Sequence, residues 1–105
     1  MIVLRISTLA LCSILIGPAL AAAQGADPNL GRNLSANCFN CHGTNGNAVG
    51  AMPSIAAQPR EVLIKALQEF KEGKRPATIM HQIAKGYSEA QILAIATYLS
   101  EQRKR

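Results

Sequence analysis

A chain of 105 residues with 49% hydrophobic and 4% aromatic content holds enough apolar material for one small domain, whose core is marginal without a staple. Its formal charge is +5, with the basic residues spread along the chain apart from Arg103-Lys104-Arg105. That tail reads as a solvated helix end, where cations complement the helix dipole, so the charge points to acidic protein surfaces and away from nucleic acid.

The first stretch reads as an export signal. Met1 to Arg5 gives a short basic start, Leu9 to Ile16 an apolar run, and Gly17-Pro18 a break. Ala19-Leu20-Ala21 or Ala21-Ala22-Ala23 then gives a small-residue cleavage site. The apolar run is shorter than the roughly 20 residues that span a bilayer, so it predicts a cleaved signal peptide over residues 1–23 and not an anchor. Cys12 follows Leu11 rather than a small residue, which argues against a lipoprotein. The expected mature chain is residues 24–105, periplasmic, with no membrane span, and its two cysteines fall in one motif.

Asp27-Pro28 reads as an N-cap and a first helical residue, opening a helix with Leu30 and Leu34 on one stripe. Gly31 on the same side leaves room for another helix. This helix runs into Cys38-Phe39-Asn40-Cys41-His42, and Gly43 ends it. Two cysteines three apart followed at once by histidine are the attachment signature of c-type haem. The spacing puts both thiols on one face of a helical turn, where they can add across the vinyl groups on one porphyrin edge. His42 then offers an imidazole nitrogen to the iron.

Other uses of the motif fit less well. A zinc site needs two further ligands, and His81 is the one candidate outside the motif. A thioredoxin-like pair needs a strand before the motif, whereas the flanks read as helical. A plain disulfide leaves the adjoining histidine unexplained.

Residues Gly43 to Gln58 lack periodicity and read as a loop wrapping one face of the ring. Pro53 has no N–H, so it contributes either its carbonyl, as an acceptor for the second nitrogen of His42, or its stiffness; spacing does not separate the two. Pro59 opens a helix from Arg60 to about Glu72, with Val62, Leu63, Ala66, Leu67 and Phe70 expected on its core side and Gly73 as its stop. A short helical segment over Ile79 to Lys85 ends at Gly86. Ser88 with Gln91 forms a capping box, and the last helix carries Ile92, Ile95 and Leu99 at helical spacing, with Tyr98 alongside. The expected fold is all-α, about four short helices around one covalently bound haem.

The face of the iron opposite His42 separates a carrier from a catalyst, since methionine there fills the coordination sphere and an empty position admits small molecules. Met52 precedes Pro53 in the loop expected over the histidine face, and packing is its simplest role. Met80 lies beyond the second helix, where the chain has had room to cross the ring, and is the better ligand. His81 is a competing donor.

Helix, CxxCH-Gly, Gly-rich loop with proline, helix, methionine and C-terminal helix in this order resemble the class I cytochromes c. The resemblance implies thioether bonds at Cys38 and Cys41, iron ligation by His42 and Met80, and Pro53 as the residue whose carbonyl holds the His42 ring. It also implies that Gly31 and Leu34 meet Tyr98 and its neighbours where the terminal helices cross. Ala36 to Gly46, Met52 to Ala56 and Arg75 to Tyr87 are similar, more narrowly, to the cytochrome subunits of flavocytochrome c sulfide dehydrogenases. That likeness implies a heterodimer in which a separate FAD-binding flavoprotein oxidises sulfide and passes electrons to this haem, and from there to a downstream acceptor protein. This chain has no G-x-G-x-x-G of its own and one CxxCH, so it is expected to be a single-haem, non-catalytic subunit. The alternatives are a free-standing electron shuttle and a catalytic or gas-binding haem protein.

Overall fold

The computed structural model describes residues 27–105; the expected signal peptide over residues 1–23 and its cleavage site lie outside the described residues. The chain is helical, and no strand occurs among the described residues.

The first helical stretch is bent. It comprises α1 (Leu30–Ser35), a 3-10 turn (Ala36–Cys38) and α2 (Phe39–His42), joined without leaving right-handed backbone angles. Asp27 opens it as a local turn rather than as the helix N-cap: its side chain accepts from the Asn29 N–H at 2.8 Å and its carbonyl from Leu30 N–H at 3.1 Å, while Asn29 occupies the cap position. Gly43, at φ 79°, stops the stretch in a conformation that disfavours a side chain. Then come α3 (Arg60–Lys71), α4 (Met80–Lys85) and α5 (Glu89–Ser100). Counting the bent stretch as one, these are the four expected helices.

The caps read from the sequence for α3 and α5 are present. Pro59 precedes α3, and Gly73 at φ 74° follows it. Ser88 Oγ accepts from Gln91 N–H at 3.2 Å while Gln91 Oε1 accepts from Ser88 N–H at 2.9 Å, a complete capping box on α5.

α5 is the hub. Ile92, Ile95, Ala96 and Leu99 are buried along it and meet Leu63 and Ile64 of α3; Leu34, Phe39, Ile55, Leu67, Tyr87 and Tyr98 pack around them. α1 crosses α5 at Gly31, where an added Cβ would overlap the Ala94 carbonyl oxygen and stand 3.0 Å from the Tyr98 Cβ. One face is corrected: Val62 is exposed, and Ile64 takes the place expected for it. α3 packs against both α4 and α5, and the stripe buried between them runs through Leu63, Ile64 and Leu67, with Val62 outside it.

The loop between α2 and α3 is stitched to this frame. Gly46 O accepts from both Ile55 N–H at 2.8 Å and Ala56 N–H at 3.0 Å, and Leu99 O accepts from Ala57 N–H at 2.9 Å. A Cβ at Gly46 would sit 2.9 Å from the Ala56 nitrogen, so glycine is needed where the two arms of the loop close on each other. No helix among the described residues is long and apolar enough to cross a membrane.

Candidate functional site

The motif Cys38–His42 sits on the last turns of the bent helix, so its position is set by what holds those turns. Phe39 packs against Tyr98, ring centroids 6.4 Å apart, and Tyr98 Oη donates to Asn45 Oδ1 at 3.0 Å, fastening the residues on both sides of His42 to α5. Asn45 was not legible as part of the site: its role depends on a left-handed backbone, φ 54°, that brings its amide to a residue 53 positions away.

His42 is buried, 8% exposed, and its Nδ1 donates to the Pro53 carbonyl at 2.7 Å. Of the two roles open to Pro53, the carbonyl is engaged. This bond fixes the tautomer: the proton is on Nδ1, and Nε2 keeps a lone pair with no hydrogen-bond partner among the described residues. A buried imidazole held in this way has the form of a metal ligand with its second nitrogen oriented by a carbonyl. The loop segment around Pro53 is itself braced, since Ser54 Oγ accepts from Ala48 N–H at 2.9 Å and Ser54 O from Gln58 Nε2 at 2.8 Å.

Cys38 is half-buried and Cys41 exposed, and no disulfide joins them. Burial pushes the Cys38 thiol above its ordinary range, against a smaller backbone hydrogen-bond effect. No group of three or more His, Cys, Asp or Glu side chains able to hold a metal ion forms among the described residues.

Met52 and Met80 differ. Met52 is 43% exposed and does not pack into the core, which corrects its expected role. Met80 is half-buried at the first position of α4, with Ile79 before it 58% exposed. His81 is turned to protein partners: its Nε2–H donates to the Arg75 carbonyl, and its ring lies 6.2 Å from that of Phe70. The residues present fit a haem. Paired cysteines share a turn with a tautomerically fixed, buried imidazole whose second nitrogen is left for a metal.

The family model for cytochrome c matches residues 28–103, nearly all of the described chain. The chain belongs to the cytochrome c family. It is similar to the cytochrome subunit of sulfide dehydrogenase from Chlorobaculum tepidum, at 39% identity over 85% of this chain and 82% of that one. It is also similar to cytochrome c4 of Pseudomonas aeruginosa, at 33% identity over 80% of this chain and 42% of that one. A solved cytochrome c4 structure from Acidithiobacillus ferrooxidans superposes with a TM-score of 0.58 at 41% identity, covering 60% of this chain and 37% of that chain. The all-α class I cytochrome c fold expected from the sequence is the fold of this protein, and haem c, carried covalently, is its cofactor. It is a cytochrome c electron-transfer protein. This chain spans less than half the length of these c4 relatives, and its single CxxCH accounts for one haem.

Proposed function

We propose that residues 24–105, after removal of residues 1–23, act in the periplasm as the single-haem electron-transfer subunit of a sulfide dehydrogenase, with an FAD-binding flavoprotein as partner. Cys38 and Cys41 carry the haem through thioethers, and His42 Nε2 and the Met80 sulfur ligate the iron. Pro53 O holds the His42 ring through Nδ1–H. When bound, the haem supplies a one-electron iron couple; the chain supplies the fixed surroundings that let the electron move with little rearrangement.

The observation that carries this reading is the buried His42 ring, with one nitrogen committed to Pro53 and the other left over for a metal. The bond to Pro53 would restrain the imidazole when a bound iron changed charge, which would keep the reorganisation small. The flavoprotein partner is supported by the likeness to the Chlorobaculum tepidum subunit across most of both chains.

Two measurements test the haem site. Pyridine haemochrome analysis of protein matured in a c-type-competent periplasm should return one covalently held haem per chain. The red-edge charge-transfer band of the oxidised protein should vanish in Met80→Leu and survive in Met52→Leu. Purification from the source cell tests the partner. Co-purification with an FAD protein that reduces the haem on addition of sulfide is the expected outcome, whereas a protein running alone at monomer mass would identify a free-standing shuttle. Rapid carbon monoxide binding by the reduced protein at neutral pH would overturn the saturated iron.

A further inference from the structure

The turn from α3 to α4, which leads into Met80, is held at both of its faces by residues the electron-transfer role does not account for. On the side-chain face, Arg75 Nε donates to Glu69 Oε2 at 3.1 Å, and its guanidinium carbon lies 5.4 Å from the centre of the Phe70 ring, so the side chain is pinned to the end of α3 by an ion pair and a cation–π contact. Glu69 is itself paired with Lys65 at 2.5 Å. On the backbone face, the Arg75 carbonyl accepts from His81 Nε2–H, six residues ahead, and the same imidazole rests 6.2 Å from Phe70 at an interplanar angle of 56°. Phe70 thus lies in contact with both ends of the turn. Met80 sits directly before His81 in the first turn of a helix only six residues long, whose own backbone bonds begin from Ile79 O. So short a helix has little rigidity by itself.

We infer that His81 is a positioning residue for Met80: by donating to the Arg75 carbonyl while packed on Phe70, it closes the turn that presents the Met80 sulfur and holds that sulfur against departure from the iron. This rests on Met80 being the ligand. It runs against the reading of His81 as a rival donor, because its Nε2 is committed to a carbonyl. The role needs a donor at the Nε2 position and an aromatic body beside Phe70, two requirements that separate under substitution.

The experiment uses mature holoprotein in the oxidised state and reads the rate of cyanide association, which requires Met80 to leave the iron. His81→Ala removes ring and donor, His81→Phe keeps the ring without the donor, and His81→Gln keeps a donor at similar reach. With cyanide as the probe, association should be roughly five- to tenfold faster in His81→Ala and His81→Phe, the scale of one hydrogen bond's net contribution, and return toward the parent rate in His81→Gln. The reduction potential should move in the same two variants and recover in the third. A residue that matters only to packing would instead lower the melting temperature of His81→Ala and leave cyanide association unchanged. His81→Phe binding cyanide at the parent rate, while Met80→Leu loses the charge-transfer band, overturns the positioning role alone. A charge-transfer band that survives Met80→Leu overturns both this inference and the ligand assignment on which it rests.

Discussion

At the scale of single residues, the bond between His42 and Pro53 states most clearly how the chain prepares its site. The acceptor is a backbone carbonyl, so it depends on where residue 53 is and not on which side chain it carries. Pro53→Ala keeps the carbonyl and should therefore leave the haem spectrum and the His42 Nδ1–H resonance unchanged, with a loss of about 0.4–1 kcal/mol of stability from the freer unfolded chain. Heteronuclear NMR and thermal melting check the two halves of that expectation. A lost Nδ1–H signal would mean that the ring of Pro53, rather than its carbonyl, is what matters. The motif is legible in the sequence because covalent spacing alone dictates it. The partners of Tyr98 and His81 are not, because each joins residues whose proximity is created by the fold.

At the scale of elements, two contacts decide whether the helices can meet as they do. Gly31 lets α1 lie against α5 with no side chain between the backbones. Gly31→Ala should cost about 1–3 kcal/mol by overpacking, despite the better helix propensity of alanine, and should show as a lowered melting temperature with an intact haem spectrum. The turn after α3 is governed by charge. Hydrogen bonds from Lys65 and then Arg75 hold the Glu69 carboxyl below the usual range. A folded-state pKa lower than the unfolded one means that the contribution of Glu69 is present in full above the ordinary glutamate value of 4.5 and is lost as pH falls through the depressed folded value. Because the carboxylate is exposed to solvent, the effect is modest and salt-sensitive. Stability measured against pH should fall more gently on the acid side in Glu69→Gln than in the parent, and the difference should shrink in high salt. An acid limb that the substitution leaves unaltered would remove Glu69 from the account. The stripe of α3 shows how an element can be recognised and yet misoriented: periodicity identified the helix over Arg60–Lys71, while the choice between Val62 and Ile64 waited on the positions of two neighbours.

At the scale of the whole molecule, the protein part of the core is small. Leu63 and Ile64 of α3 against Ile92, Ile95, Ala96 and Leu99 of α5 make up its central cluster. The motif helix and the loop around Pro53 reach that cluster through half-buried side chains such as Phe39 and Ile55. A covalently held porphyrin adds the apolar plate that such a domain lacks, so protein prepared without haem should be largely unstructured, and circular dichroism should show most of its helix signal missing. Full native helicity without haem would place the stability in the polypeptide alone.

By itself the sequence determined the local chemistry: the thiol pair and histidine on one turn, the capping box at Ser88, the glycines that stop helices, and the order of elements that marks a cytochrome c. These depend on residues a few positions apart, where bond geometry leaves little choice. Only the tertiary structure decided that the Pro53 carbonyl meets His42, that Ile64 and not Val62 enters the core, that Met52 stays outside it, and that His81 is committed to Arg75. Each of these joins or separates groups distant along the chain, and their proximity exists only once α1, α3 and α4 have found their places against α5.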